Sequence, residues 1–402
     1  MEFNLSDRSA STAALDSRRL RAMFIALAIV VLGVVGINYA INPFGAWPYQ
    51  LLNPIYRSTD RTRVAIPYLI RSLEPRVLIL GDSRAELGIP ISQGGRDGFF
   101  NAAMLGARLN EVSALLEPAL RNPRLRIIIW QLDFSPFGKR SESVYDAPTL
   151  ARLTHPQGRI GSDTLLSIDA LGDSINMIER GARGIGALPV YAVAPLPWPQ
   201  DTIRRELAES SPMPFFGSDA NVMLYLSGLA ASLYQPFEYS ARQVDLFRGI
   251  VAKIRRAGVE LVIFLPPMSE YELETIRLAG KWDDFMHVKA SVATIAPYTD
   301  FSGYNALARA DSMYRDPLHF KPALGWAIMR RLLDSDCSEC GPVAALLSES
   351  ANSWDSHNLA LNLMAAQLKM AAATRIPSKY SATAAMALRE YVAHPPQSAL
   401  DQ

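Results

Sequence analysis

From Ala22 to Ile41 the chain runs for twenty residues without a charge. As a helix rising ~1.5 Å per residue, such a run matches the ~30 Å hydrocarbon core of a bilayer. No second stretch is as long and as apolar, so everything after it must fold on one side of a membrane. Arg18, Arg19 and Arg21 stand just before it, and basic residues beside a span favour the cytoplasmic side. A cleaved signal peptide is the competing reading. Its apolar core is usually only ~7–15 residues and is followed by a small-x-small cleavage site, which this sequence lacks. The expectation is a single-pass anchor in the inner (cytoplasmic) membrane, amino terminus cytoplasmic, main domain periplasmic or otherwise extracytoplasmic. Residues 1–21 are polar, rich in Ser and Arg, and read as a short disordered cytoplasmic tail. Asn42 to Pro48 combines turn formers with aromatics suited to the membrane interface.

With 40 basic and 39 acidic residues the net charge is +1, which supplies no field for binding nucleic acid. The two cysteines, Cys337 and Cys340, cannot build a disulfide framework. Neither a second Cys pair nor a His at ligand spacing stands near them, so a local bridge outside the cytoplasm is the simpler reading. No metal or cofactor is implied.

Past the span, strand-like and helix-like segments alternate. Val77 to Leu80 is a continuous apolar run, as expected of a parallel strand buried on both faces. It breaks at Gly81-Asp82-Ser83, where glycine permits a sharp turn. Strands are also expected at Phe99 to Ala103, Leu125 to Leu132 and Glu260 to Leu265, with a weak one at Ala293 to Thr299. Helices are expected at Leu109 to Leu120, Val244 to Ala257 and Pro322 to Leu333. This order implies an α/β fold around a mostly parallel sheet. The layout reads as an α/β domain over 42–335 and a small helical appendage over 336–402. An insertion at about 138–240 exceeds a normal crossover and reads as a lid, a binding element or packing decoration. It holds an expected helix at Thr164 to Arg180 and the Pro/Trp run Pro195 to Pro199. Trp198 and Tyr191 could stack on a sugar, although aromatics beside prolines more often anchor loops.

Of the five histidines, His155, His287, His319, His357 and His394, only His319 has a carboxylate placed to orient it. In Arg315-Asp-Pro-Leu-His319, Asp316 lies three positions earlier, and Pro317 keeps it out of helical geometry. An Asp can hold the Nδ1 proton and leave Nε2 to take a serine proton, without which serine is a weak nucleophile. Alone, Gly-Asp-Ser is a turn that caps backbone donors, and Asp-Pro-x-His is an ordinary loop. Standing at the first strand and after the last strand of one α/β pattern, they read together as nucleophile and base.

These residues resemble the SGNH (GDSL-like) hydrolase superfamily. Gly81-Asp82-Ser83 is similar to its nucleophile block, with Arg84 where many members differ. Asn101-Ala-Ala-Met-Leu-Gly106 is similar to its second block, and Asp316 with His319 to its last. The resemblance covers roughly residues 70–335. It implies a three-layer α/β/α domain, Ser83, Asp316 and His319 as catalytic residues, and an oxyanion hole from the backbone of Ser83 and Gly106. The third block departs: an asparagine donor is usual there, and this chain has Gln131-Leu-Asp133. An ionised Asp133 only accepts hydrogen bonds, and losing one oxyanion donor costs several kcal/mol of transition-state stabilisation. Membrane-anchored members with altered third blocks resemble accessory proteins of alginate O-acetylation and teichoic acid D-alanylation. By that resemblance the chain is a serine-dependent O-acyltransferase or esterase acting on envelope or exported polysaccharide. Its partners would be a glycan acceptor and a membrane acyl-donor protein. The alternative is a catalytically decayed scaffold or glycan-binding component of a polysaccharide modification or secretion complex.

Overall fold

Val77–Leu80 forms β1, and all four of its side chains are buried. Because side chains alternate along a strand, Leu78 and Leu80 face one layer while Val77 and Ile79 face the other. The computed structural model describes residues 5–49, 51–52, 61–89, 98–143, 147–156, 160–184, 219–333 and 342–373. Cys337, Cys340, Tyr191, Pro195 to Pro199, Trp198 and His394 lie outside the described residues.

β1 lies between β2 (Phe99–Asn101) and β3 (Ile127–Gln131). The sheet continues through β4 (Glu260–Leu265), β5 (Tyr298–Asp300) and β6 (Asn352–Trp354), in the order β2-β1-β3-β4-β5-β6. All neighbours are parallel except β5 and β6. The register pairs Val77 with Phe99 on one side and with Ile127 on the other. The chain turns outward to β2, then crosses back to β3, so the strand order reverses at β1. In open α/β sheets the carboxyl ends at such a switch point form the ligand crevice.

One face is covered by α2 (Thr62–Leu73), α4 (Leu109–Ala119), α8 (Ala241–Arg256) and α10 (Trp282–Ala293). On the other lie α3 (Ser83–Gly88), α11 (Pro322–Leu333) and α12 (Pro342–Ser350). The fold is therefore α/β with three layers. On the first face Trp130 packs against Phe247 with ring centroids 5.3 Å apart. Each such side chain contributes about 1.5–3 kcal/mol by leaving water.

Four features differ from the sequence expectation. First, α1 (Leu5–Ile41) begins well before the apolar run, because residues 5–21 contain neither Gly nor Pro to stop a helix. Its segment from Arg18 to Ile41 is long and apolar enough to cross a membrane. Second, Ala293 ends a helix rather than starting a strand. Phe285, Val288 and Val292 recur at helical spacing, and the strand is only Tyr298–Asp300. Third, the segment after 336 is not purely helical, since Asn352–Trp354 adds an antiparallel edge strand too short to read from pattern. Fourth, Gly81 does not adopt a positive φ. Glycine is required there because a Cβ would lie 2.6 Å from Gln131 Oε1 and 2.7 Å from the Ala85 Cβ.

The insertion between β3 and β4 has a closed neck. Gly138 and Tyr239 form an antiparallel bridge, the Lys139 N–H donates to the Glu238 carbonyl at 2.7 Å, and the Ser240 N–H donates to that of Phe137 at 2.9 Å. Within it are α5 (Ala147–Thr154), α6 (Ile168–Arg183) and α7 (Asp219–Leu229). Between β4 and α10 the chain forms α9 (Glu270–Leu278), and α13 (Leu359–Ala373) follows β6.

α3 and α11 meet through glycines. A Cβ at Gly325 would penetrate the Gly88 carbonyl, and one at Gly88 would enter the Phe320 ring. Gly325→Ala is therefore expected to force α3 and α11 apart at a cost of about 1–3 kcal/mol. Urea unfolding reads this directly; an unchanged midpoint would contradict the close approach.

Candidate active site

The turn after β1 is built from below by Gln131, the last residue of β3. Its Oε1 accepts the Asp82 N–H at 3.0 Å, and the Asp82 carboxylate caps α3 by accepting the Arg84 N–H at 2.9 Å. Ser83 is the first residue of that helix, where a backbone N–H has no intrahelical partner. Gln131 Nε2 is buried and has no partner among the described residues.

His319 comes from a loop closed by an antiparallel bridge between Tyr314 and Phe320. The Asp316 Oδ1 accepts the N–H groups of Leu318 and His319, each at 2.9 Å. The same carboxylate meets His319 Nδ1 at 2.8 Å and 2.9 Å, and His319 Nε2 lies 2.9 Å from Ser83 Oγ. Residues 236 positions apart are thus in one hydrogen-bonded chain. Burial works against the Asp316 charge, but the His319 hydrogen bond and charge, with the two backbone donors, hold its carboxyl below the usual range. With Nδ1 keeping its proton and donating it to the Asp316 carboxylate, Nε2 is left as the acceptor for the serine hydroxyl.

The loop after β2 lies beside this turn. Ala102 N–H donates to the Ile79 carbonyl at 2.8 Å and Met104 N–H to the Gly81 carbonyl at 3.1 Å. Asn101 braces it, donating to the carbonyls of Ala85 at 2.9 Å and Ile89 at 3.1 Å. Gly106 follows in an exposed turn at φ +58°, a conformation that favours glycine. The N–H groups of Ser83 and Gly106 donate to no described residue.

Sequence reasoning missed the support beneath Ser83. Arg84 is buried and makes two bonds to Glu272, one of them at 2.8 Å. It also donates to the Leu318 carbonyl at 3.1 Å, and its Nε lies 3.4 Å from Asp133. Tyr234 donates to the same Glu272 carboxylate. Ser269 caps α9 and donates to the Pro317 carbonyl at 2.6 Å. The signal was present as Ser269-Glu-Tyr-Glu272, the spacing of a capping box, but the Glu272 carboxylate is diverted to Arg84.

Asp133 accepts from the Phe134 N–H at 2.7 Å as well as facing Arg84, so it offers no donor to a substrate oxygen. Comparison with protein-family models and with curated protein sequences found no match for this chain.

Asp82, next to Ser83, has a strongly perturbed carboxyl. Burial, then the Asp133 carboxylate hydrogen-bonded to it, push its carboxyl up to about 8 against the pull of Arg84. A carboxyl raised in the folded state binds a proton that the unfolded chain has released. Its stabilising contribution is therefore complete below pH ~4 and lost as pH rises toward ~8. Replacing Asp82 by Asn removes that term. The stability difference between wild type and Asp82→Asn is expected to move against the wild type between about pH 5 and 8, measured by denaturant unfolding. A pH-independent difference would sink the assignment.

Proposed function

We propose that the chain is a serine-dependent O-acyltransferase or esterase of SGNH type, forming an acyl-enzyme on Ser83. The carrying observation is the Ser83–His319–Asp316 chain of hydrogen bonds, with 2.9 Å between Oγ and Nε2. In this reading His319 Nε2 takes the hydroxyl proton as Ser83 Oγ attacks an ester carbonyl, and the N–H groups of Ser83 and Gly106 receive the negative charge on the oxygen. His319 then returns the proton to the departing alcohol. A second hydroxyl, from water or from a sugar, repeats the sequence in reverse and releases the acyl group. Asp316 keeps the imidazole in the correct tautomer throughout.

The three-layer fold, with the serine at the switch point of the sheet, supports the SGNH reading. The apolar helix at 18–41, preceded by arginines, supports anchoring in the inner membrane with the site outside the cytoplasm. Envelope or exported polysaccharide is the acceptor that such a placement suits, with a membrane acyl-donor protein upstream. The second reading, a scaffold or glycan-binding component with a decayed site, is favoured by one observation: Asp133 supplies no third oxyanion donor.

Labelling of the full-length chain by a fluorophosphonate decides between them. We expect a covalent adduct on wild type, none on Ser83→Ala, and a rate roughly 10³-fold lower or less on His319→Ala. Wild type that does not label, while folded by its unfolding transition, would overturn catalysis and leave the scaffold.

A further inference from the structure

We propose that α6 is a membrane-surface helix, whose outward apolar stripe lies in the lipid interface and seats the folded domain on the bilayer that α1 crosses. The inference rests on the membrane reading of α1. α6 carries Ile168, Leu171, Ile175, Ile178 and Ala182 at steps of three and four, so they form one stripe. This stripe faces outward: Ile168 is 81% exposed, Ile175 46% and Ile178 44%. The preceding Leu166 is 58% exposed. The face flanking it, with Ala170, Asp173, Ser174 and Met177, is buried in the protein. A helix that faces water normally shows the reverse pattern, and a contiguous outward apolar stripe marks an interaction surface.

The occupant follows from where α6 is attached. α1 packs on α6 through the last turns of its apolar segment, where Val34, Val35 and Asn38 lose exposure. Asn38 Nδ2 donates to the carbonyls of Thr164 at 2.9 Å and of Leu165 and Ser167 at 3.1 Å. Its Oδ1 accepts from the Ser174 hydroxyl at 3.1 Å. Asn38 stands three residues before Ile41, hence only ~4.5 Å along the helix axis from the end of the span. The segment bonded to it is at the depth where interfacial helices bury an apolar face, ~5–10 Å into the headgroup and acyl boundary.

Neighbouring chemistry matches that depth. Tyr39 stacks on Trp47 at 5.2 Å and on Tyr49 at 6.4 Å, an aromatic cluster of the kind found at membrane interfaces. The acidic residues of α6 are neutralised by Arg61, which pairs with the exposed Asp169 and the buried Asp173, each at 3.0 Å. Glu179, exposed at the border of the stripe, marks its water side, and Arg183 at the carboxyl end suits lipid phosphate. Two residues beyond Arg61, Arg63 donates to the Leu105 carbonyl at 2.8 Å and to Glu111. The Leu105–Gly106 turn at the mouth of the site is thereby linked to the lipid seat.

The test uses the full-length chain with Cys337→Ser and Cys340→Ser, in vesicles of phosphatidylethanolamine and phosphatidylglycerol. Single cysteines replace Ile175, Leu27 in mid-span, or Arg256 at the opposite end of the sheet, each labelled with an environment-sensitive fluorophore. The Ile175 probe is expected to be quenched by doxyl lipids and quenched several-fold less by aqueous iodide than the Arg256 probe. An Ile175 probe as open to iodide as Arg256, with Leu27 quenched by lipid, overturns the seat and leaves the span standing. An Ile175 probe shielded from both quenchers means that protein covers it, which also overturns the proposal. A Leu27 probe that lipid does not quench removes the membrane reading itself. Ile175 is exposed, so an unchanged unfolding midpoint verifies that labelling leaves the fold intact.

Discussion

A single buried cation holds the two halves of the candidate site in register. Arg84 follows Ser83 in sequence, yet its guanidinium reaches Glu272 on α9 and the Leu318 carbonyl next to His319. Burial opposes its charge, but Asp133 and Glu272 more than offset that cost and hold its pKa well above the usual value. Such a cation is expensive to desolvate alone, and removing one partner of a buried pair leaves the other uncompensated. The distance between Ser83 and His319 is therefore fixed by the polar network beneath them as well as by the sheet. Ser269 adds a second tie, from the start of α9 to the Pro317 carbonyl, so the loop carrying Asp316 and His319 is held at two consecutive carbonyls.

The same logic of attachment runs outward to the apolar amino-terminal helix. The insertion between β3 and β4 sends α6 to Asn38 at the end of α1, while Arg61 and Arg63 connect α6 to α4 and to the loop before Gly106. Another part of the insertion approaches the loop that carries Asp316 and His319: burial, then the charges of Asp316 and Glu272, raise the Tyr225 hydroxyl's pKa. Residues 164–174 of the insertion thus tie the domain to α1 through Asn38.

How much of this could be read from residues depended on range. Val77 to Leu80 and Glu260 to Leu265 were legible because a doubly buried strand leaves a continuous apolar run. Asp316 and His319 were legible because carboxylate and imidazole lie three residues apart, beside a proline. Arg84 with Glu272 was not, since 188 residues separate partners that only the fold brings together. Gln131 was passed over while an asparagine was sought at that block, although its position at the end of β3 puts its amide under the Asp82 N–H. Short edge strands such as Asn352–Trp354 carry too few residues for a period to emerge. The amino-terminal tail was misread because polar composition was taken for disorder, whereas an uninterrupted run without Gly or Pro simply continues the helix that follows it.

Beneath these details stands one chemical claim, that the Ser83 oxygen becomes acylated. Ser83 Oγ is within hydrogen-bonding distance of an imidazole oriented by a carboxylate held below its usual pKa range. The most direct measurement is intact mass of the full-length protein after brief incubation with a small acyl ester, followed by peptide mapping. The account predicts a mass increase of one acyl group, located on Ser83 and absent from Ser83→Ala. An adduct on any other residue, or none under conditions in which the folded protein is stable, would contradict it.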